Sequence, residues 1–451
     1  MSLNGKTWKR VGLGAVVLVS TAVLAACGGK SSSTSSKTDE INWYTPTEIS
    51  TLDISKVTDT YSSIAIGNSG SNLLRRNEDG ELKPDLAEKV EVSEDGLTYT
   101  ATLRDGLKWS DGSDLTADDF VYTWQRIVDP ATASQYAYLV SDAHVLNAAE
   151  VINGTKSVDE LGVKADGNKV IFTLSSPSPQ FMSLLTFANF VPQNKAFVEK
   201  AGSDYATTSE KALYSGPYTV KNWNGSNGSF TLVKNKYYWD AKNVKLKKVN
   251  VQTVKKPDTA VQMYKDGELD TANISGTEAI YKGNKSNKDV VDVPEATSAY
   301  LVYNETGSVK ALANTKIRQA LNLATNREGV VKAAIDTGSK AATALVPTGL
   351  ETLEDGTDLS KYVSQDYTYD AKQAAKLFKE GLAEIGEKSV KLTITADSDT
   401  PVAKASVDYI KQTWEDVLPG LKVEEKFVTF KQRLQDSKTQ NFDIVLSLWG
   451  G

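Results

Sequence analysis

The chain is predicted to be an α/β protein of two or three domains, and three observations carry that expectation. Its 451 residues are more than one hydrophobic core usually organises. Hydrophobic residues at 40% and charged residues at 24%, with 8 Trp and 19 Tyr, supply cores of ordinary size. In the last third, apolar positions at helical spacing alternate with short β-branched runs, the rhythm of a sheet covered by helices. This composition excludes a collagen-like, disordered acidic or polytopic membrane chain. A net charge of −6 gives no electrostatic reason to expect nucleic acid as a partner. The one Cys and one His, Cys27 and His144, are too few for a zinc cluster, and neither lies in an acyl-transfer context. No metalloprotease, phosphate-binding-loop or EF-hand motif occurs. No catalytic residue, metal site or cofactor is therefore expected, and His144 reads as a surface or hydrogen-bonded side chain.

The N-terminus reads as an export signal. Lys6, Lys9 and Arg10 precede a mostly apolar run from Val11 to Ala26, shorter than the roughly 20 residues of a spanning helix. It ends Leu24-Ala25-Ala26-Cys27, which resembles the lipobox of bacterial lipoproteins. That likeness implies cleavage before Cys27, a diacylglyceryl group with fatty acids such as palmitate on its thiol, and its freed amine as the new N-terminus. Residues 1–26 are thus expected to be a signal peptide. Residues 27–40 would be the lipidated Cys and a flexible tether, since Gly28 to Lys37 is too polar to pack.

The mature chain begins with a strand at Ile41-Asn42-Trp43-Tyr44. Leu97, Tyr99, Ala101 and Leu103 alternate with Thr98, Thr100 and Thr102, marking a half-buried strand. Asp105-Gly106 and Asp111-Gly112 are turns. Thr116 with Asp119 forms a capping box before a helix whose apolar side is Phe120, Val121, Trp124, Ile127 and Val128, stopped at Asp129-Pro130. Asp118 and Asp119 are accordingly architectural. Val170, Phe172 and Leu174 alternate, and Phe181, Phe187 and Phe190 suggest an apolar segment passing between lobes. Ser215-Gly216-Pro217-Tyr218 is a turn, with strands expected at Phe230 to Val233 and Val244 to Val251. The cluster Tyr237-Tyr238-Trp239-Asp240 reads as packing at a strand end rather than a sugar platform. Further strands are expected at Tyr300 to Tyr303, Val390 to Ile394, Leu421 to Val423 and Phe442 to Leu448. Helices carry Ile317, Ala320, Leu321 and Ala324; Ala374, Leu377, Phe378 and Gly381; and Val407, Ile410 and Trp414.

With those residues in view, the chain resembles the peptide-binding lipoproteins of ABC importers, within the solute-binding proteins for oligopeptides, dipeptides and nickel. The likeness is carried by Leu82 to Glu88, Ser93 to Thr100, Leu107 to Gly112, Leu115 to Arg126, Leu161 to Ala165, Gly216-Pro217-Tyr218 and Lys316 to Leu321. It implies a two-lobed periplasmic-binding-protein-like α/β fold with a hinge between the lobes and an inserted third domain. Lobe I is placed at 41–71 and 193–297, the inserted domain at 72–192 and lobe II at 298–451. In relatives, a strand like Phe442 to Gly450 leads into an acidic, aromatic and proline-containing segment that returns to lobe I. The sequence stops at Gly451, so an incomplete lobe II is expected, mobile and weak in peptide binding. The aspartate that holds the peptide ammonium in oligopeptide members would lie beyond it.

The resemblance also implies the site. Leu448, Trp449 and Gly450 would offer one peptide-pairing edge, and Thr58, Asp59 and Thr60 the opposing one. Trp449 and Phe430 would wall side-chain pockets, and Tyr136 would reach the cleft from the inserted domain. Positions that carry carboxylate-binding arginines in some relatives fall on Ser437 and Leu446, which argues against a fixed carboxylate clamp. The expected partners are oligopeptides and an ABC permease complex, for a monomer held by its lipid on the extracytoplasmic face of a Gram-positive-like cell membrane. A peptide-pheromone receptor or a surface adhesin on the same fold is the competing reading. An enzyme using paired carboxylates is a third, and no such pair stands out.

Overall fold

Each backbone N–H and C=O must find a partner, and alternation decides which strands can supply one. The computed structural model describes residues 39–275, 277–293, 295–334, 338–364, 368–398 and 400–450. Cys27 and the signal segment lie outside the described residues. Among the described residues, no helix is long and apolar enough to cross a membrane.

Strand β1 (Glu40–Thr45) is followed by helix α1 (Thr60–Ser69). The Asp59 carboxylate caps α1 by accepting the Ser62 N–H at 2.7 Å. The chain then builds a separate unit. A ribbon of β2 (Leu74–Arg76) and β3 (Leu82–Pro84) leads into β4 (Ala87–Val92) and β5 (Thr98–Leu103). Helix α2 (Ala117–Val128), β6 (Val163–Asp166) and β7 (Lys169–Thr173) follow. These strands form an antiparallel sheet in the order β4-β5-β7-β6. Trp124 of α2 stacks on Phe190 at 4.2 Å and meets Phe172 edge-on at 4.9 Å. Phe181 and Phe190 are wholly buried in this core. The expected inter-lobe path for the three phenylalanines is therefore corrected: two serve the core around Trp124, and Phe187 sits at its rim.

Returning to the first sheet, the chain adds β8 (Tyr218–Lys221), β9 (Ser229–Lys234) and β10 (Lys248–Thr253). The order is β1-β10-β9-β8, with β1 parallel to β10 and the other pairs antiparallel. Strand β10 starts later than the expected Val244, because residues 241–243 form a 3₁₀ turn. Its β1-side pairing begins only where the Asp39 carbonyl accepts the N–H groups of Lys247 and Lys248. A second core, including Leu52, Val57, Trp223, Leu232 and Val251, covers this sheet.

The second lobe's sheet collects β11 (Thr297–Tyr303), β12 (Val390–Asp397), β13 (Leu421–Val428) and β14 (Ile444–Gly450). It is covered by α3 (Thr315–Ala324), α4 (Ala371–Glu384) and α5 (Pro401–Val417), whose apolar faces bury Leu321, Phe378 and Trp414. Strand β13 is longer than the expected three residues. It runs beside β12 from Leu421 opposite Val390 to Val428 opposite Asp397, so every residue gains a partner. Helix α6 (Phe430–Lys438) connects β13 to β14. The result is the two-lobed α/β fold with a third sheet between the segments of the first lobe.

Two buried polar clusters join that third sheet's unit to the first lobe, and they explain much of the sequence pattern. Arg126 of α2 donates to both Asp53 oxygens at 2.6 and 2.8 Å and to Gln193 Oε1 at 2.8 Å. Gln193 in turn donates to Ser55 Oγ at 2.9 Å. In the second cluster, Asp85 accepts from the Tyr238 hydroxyl at 3.1 Å and the Trp239 indole at 2.9 Å. Arg104 lies 3.8 Å over the Trp239 ring and donates to the Asp85 carbonyl at 2.6 Å. The aromatic cluster at 237–240 is thus packing, as its residue types suggest. Gly216 is required by a close approach: a Cβ there would stand 2.6 Å from the Gly70 backbone carbonyl.

Candidate functional site

The first feature of the site is a strand edge. Strand β14 pairs along its whole length with β11, from Thr297 opposite Gly450 to Tyr303 opposite Ile444. On its other side it meets β12 only at Ile444 and Val445. From Leu446 onward, that side has no strand partner among the described residues, so its backbone groups are available to an added strand. Beside this edge, Leu448 is 54% and Trp449 45% exposed, unusual for large apolar side chains inside a sheet. Gly450 is exposed, and Leu446 is buried in the lobe core.

Other predicted residues take distinct places. Thr58 is half-buried and Thr60 begins α1 exposed. Asp59 is buried, and its carboxylate is spent on capping α1 and on the Ser50 hydroxyl, which donates at 2.5 Å. Both carboxylate oxygens of Asp59 are thus engaged within the first lobe. Phe430 opens α6, half-buried, and its ring meets Tyr61 of α1 across the lobes at 5.9 Å. Tyr136 packs against Phe187 at 5.9 Å and Tyr138 at 6.2 Å. Burial raises the pKa of the Tyr136 hydroxyl, with smaller contributions from Tyr138, Tyr300 and Asp59. Ser437 sits in the last turn of α6. His144 is exposed, the surface alternative of its sequence reading.

Three participants were not legible in the sequence. Tyr61 carries no motif. Arg433 and Asp397 form a buried pair at 2.7 Å between α6 and the end of β12, with Arg433 Nη1 3.4 Å from Ser447 Oγ of β14. The helical spacing of Phe430 and Arg433 was the one available signal, because i and i+3 share a face. Burial pushes the Tyr61 hydroxyl up to about 12, reinforced by Glu295, Asp397, Tyr44 and Asp59. The ring therefore stays neutral in any working buffer.

Asp119 shows why a perturbed carboxylate here is not a site. Its carboxylate accepts the Thr116 N–H at 2.9 Å and the Trp109 indole at 3.2 Å, closing the capping box. Burial nevertheless raises it from 3.8 to about 6, the two hydrogen bonds opposing the rise. The folded chain thus binds a proton that the unfolded chain has released. This contribution to stability is full below about pH 4 and is lost as pH rises through about 6. Asp119→Asn is expected to flatten that dependence, by up to about 3 kcal/mol between pH 4 and 7 in urea unfolding. Parallel curves for the two proteins would refute it.

Comparison with known proteins follows the same outline. A family model, the bacterial extracellular solute-binding proteins, family 5, matches residues 81–451. The chain belongs to that family. This solute-binding protein is 41% identical to the dipeptide-binding protein of Lactococcus lactis subsp. cremoris, over 99% of its own length and 82% of the relative's. Among solved structures, it is similar to Listeria monocytogenes OppA bound to peptide, with TM-score 0.87 and 35% identity over 92% of this chain and 82% of that one. It is also similar to the pheromone receptor PrgZ, with TM-score 0.87 and 30% identity over 92% and 81%.

Proposed function

We propose that this solute-binding protein captures peptides outside the cytoplasmic membrane and delivers them to an ABC import permease. The observation that carries the reading is the half-paired edge of β14 at Leu446–Gly450, flanked by exposed Leu448 and Trp449. An extended peptide adds there as a strand, its N–H and C=O groups meeting those of β14. Backbone from Thr58 to Thr60 faces the other side of the peptide, and Trp449, Phe430 and Tyr136 wall hydrated side-chain pockets. Hinge closure then buries the ligand and makes a shape the permease recognises. No acid–base or nucleophilic role is assigned to any residue. Membership of a family whose relatives include a dipeptide-binding protein and an OppA solved with bound peptide supports the ligand class.

Incubating the protein with a mixed peptide library and identifying what co-purifies by mass spectrometry tests the reading. Intact peptides of varied sequence are expected. Cleaved products, or no retained peptide, would overturn it. The likeness to PrgZ favours a second reading, a pheromone receptor, which would retain one peptide and reject the rest.

The anchor is part of the same proposal: a lipid on Cys27 holds a monomer at the membrane surface, within reach of the permease. Cys27→Ser is expected to leave the precursor uncut and free of label when cells are fed a radioactive fatty acid. Normal incorporation in the variant would sink the lipoprotein assignment.

A further inference from the structure

Positive charge is concentrated at one end of the first lobe. Residues 234–248 carry Lys234, Lys236, Lys242, Lys245, Lys247 and Lys248 against a single acid, Asp240, in a chain whose net charge is −6. Strand β9 ends at Lys234 and β10 begins at Lys248, so the loop between them closes one end of the sheet. The strand ends are joined there, the Lys234 N–H donating to the Lys247 carbonyl at 2.9 Å. Gathered like charges repel one another, and a counter-charge must come from somewhere. The protein supplies only part of it. Lys247 meets Asp39 at 2.6 Å and Lys248 meets Glu40 at 3.3 Å. The Lys234 ammonium donates to the Val244 carbonyl at 2.8 Å, which leaves its charge in place. Asp240 accepts from Asn243 at 2.6 Å rather than from a lysine. Lys236, Lys242 and Lys245 are exposed and form no ion pair among the described residues. The Lys236 ammonium lies 4.7 Å over the ring of Tyr237, which is itself exposed.

The chain from Cys27 enters the fold at this same end. Strand β1 starts with Glu40 beside Lys248, and the Asp39 carbonyl accepts the N–H groups of Lys247 and Lys248. Residues 28–38 separate Cys27 from that point, and they add Lys30 and Lys37 and no acid. Even fully extended, eleven residues reach no more than about 40 Å. With the Cys27 lipid in a bilayer, the lysine-rich end is therefore held near the headgroups. A weak contact is strengthened there by the high local concentration of its partner. Strand β1 runs away from this end and leads through Ser50, whose hydroxyl donates to Asp59, to α1 and the cleft.

We infer that this end of lobe I, centred on Lys236, Lys242 and Lys245, is a docking surface for anionic phospholipid headgroups that orients the tethered protein with its cleft away from the bilayer. The inference rests on the lipid anchor proposed above. The lysine ammoniums meet headgroup phosphates as point charges. Tyr237, an apolar ring with a polar tip, suits the same depth. The lipid holds the protein at the membrane, and the patch selects which end faces it.

The test places the lipidated protein on vesicles. Cys27 is the sole cysteine and carries the lipid, so a cysteine introduced at exposed Asn243, or at exposed Gln373 of α4, takes a dye alone. Energy transfer to a headgroup-labelled lipid is expected to be stronger from 243 than from 373 on vesicles mixing phosphatidylglycerol with phosphatidylcholine. The difference should shrink on pure phosphatidylcholine, and in about 1 M salt, where screening acts within about 3 Å. Lys236→Gln/Lys242→Gln/Lys245→Gln should shrink it equally, while retention of the mixed peptide library stays within about twofold of the wild type and shows that the variant folds. The mature chain made without lipid keeps every described element, since all begin at Glu40 or later. It should sediment with phosphatidylglycerol vesicles at low salt, and the triple variant should bind at least about tenfold more weakly, each lysine being worth up to about fivefold. Equal transfer on the two vesicle types, or lipid-free binding indifferent to the three lysines, would overturn the surface. Tighter binding to soluble polyglycerol phosphate than to vesicles at equal phosphate would overturn the membrane as its partner. If Cys27 carries no lipid, the anchor assignment fails, and sedimentation of the lipid-free chain still decides the patch.

Discussion

Arg126→Met is expected to cost about 3–5 kcal/mol of folding stability, the range for breaking a buried ion pair from one side. The Asp53 side chain is 7% exposed and that of Arg126 is 12%, so the remaining carboxylate would stay in a dry site. Lys56, at 3.8 Å and on the surface, offers only partial compensation and moves the result toward the lower end. Gln193 would also lose its donor. Because Arg126 belongs to α2 and Asp53 to the first lobe, the loss should appear as loosened attachment of the inserted sheet as well as lower global stability. Hydrogen exchange around 51–59 and 117–128 measures the first quantity, and urea unfolding measures the second. Arg126→Met combined with Asp53→Leu should recover most of the stability, since no charge is then stranded. A single-variant loss below about 1 kcal/mol would mean the pair behaves like an exposed one.

N-methylation of a bound peptide at a position that faces β14 is expected to weaken binding by roughly 5- to 150-fold, equivalent to about 1–3 kcal/mol for one hydrogen bond removed and one carbonyl left unpaired. The size follows from the half-open edge at Leu446–Gly450, where an added strand exchanges backbone bonds that no side chain can replace. Changing side chains at fixed length should move affinity by no more than about tenfold at most positions. Calorimetry with matched methylated and unmethylated peptides decides it. Indifference to methylation would remove strand addition from the mechanism. Discrimination of several orders of magnitude in favour of one sequence would move the protein to the pheromone-receptor reading.

The two predictions depend on information that reached the sequence in different ways. The Leu448-Trp449-Gly450 edge and Phe430 were identified by resemblance; the first three are exposed and Phe430 is half-buried. Tyr61 was overlooked, because nothing in the run around it distinguishes a cleft aromatic from a core one. Asp59 was expected at a peptide-pairing edge, yet its carboxylate is occupied within its own lobe.

What the sequence determined by itself was local. The capping box of Thr116 and Asp119 and the glycine turns at 106 and 112 depend on partners a few residues away, and the alternation of β5 follows from the pleat of its own backbone. Backbone sterics and hydrogen bonds settle such features without the rest of the chain. The helix faces of α3, α4 and α5 were legible for the same reason: the apolar repeat already states which side is buried. Only the tertiary structure decided the rest. It paired Arg126 with Asp53 and Arg433 with Asp397, lengthened β13 along β12, and turned Phe181 and Phe190 into one core. Among the described residues, it also left one side of β14 without a strand partner beyond Val445. Whether a charge is neutralised or a strand edge paired depends on groups dozens of residues away, and no local pattern encodes their distance.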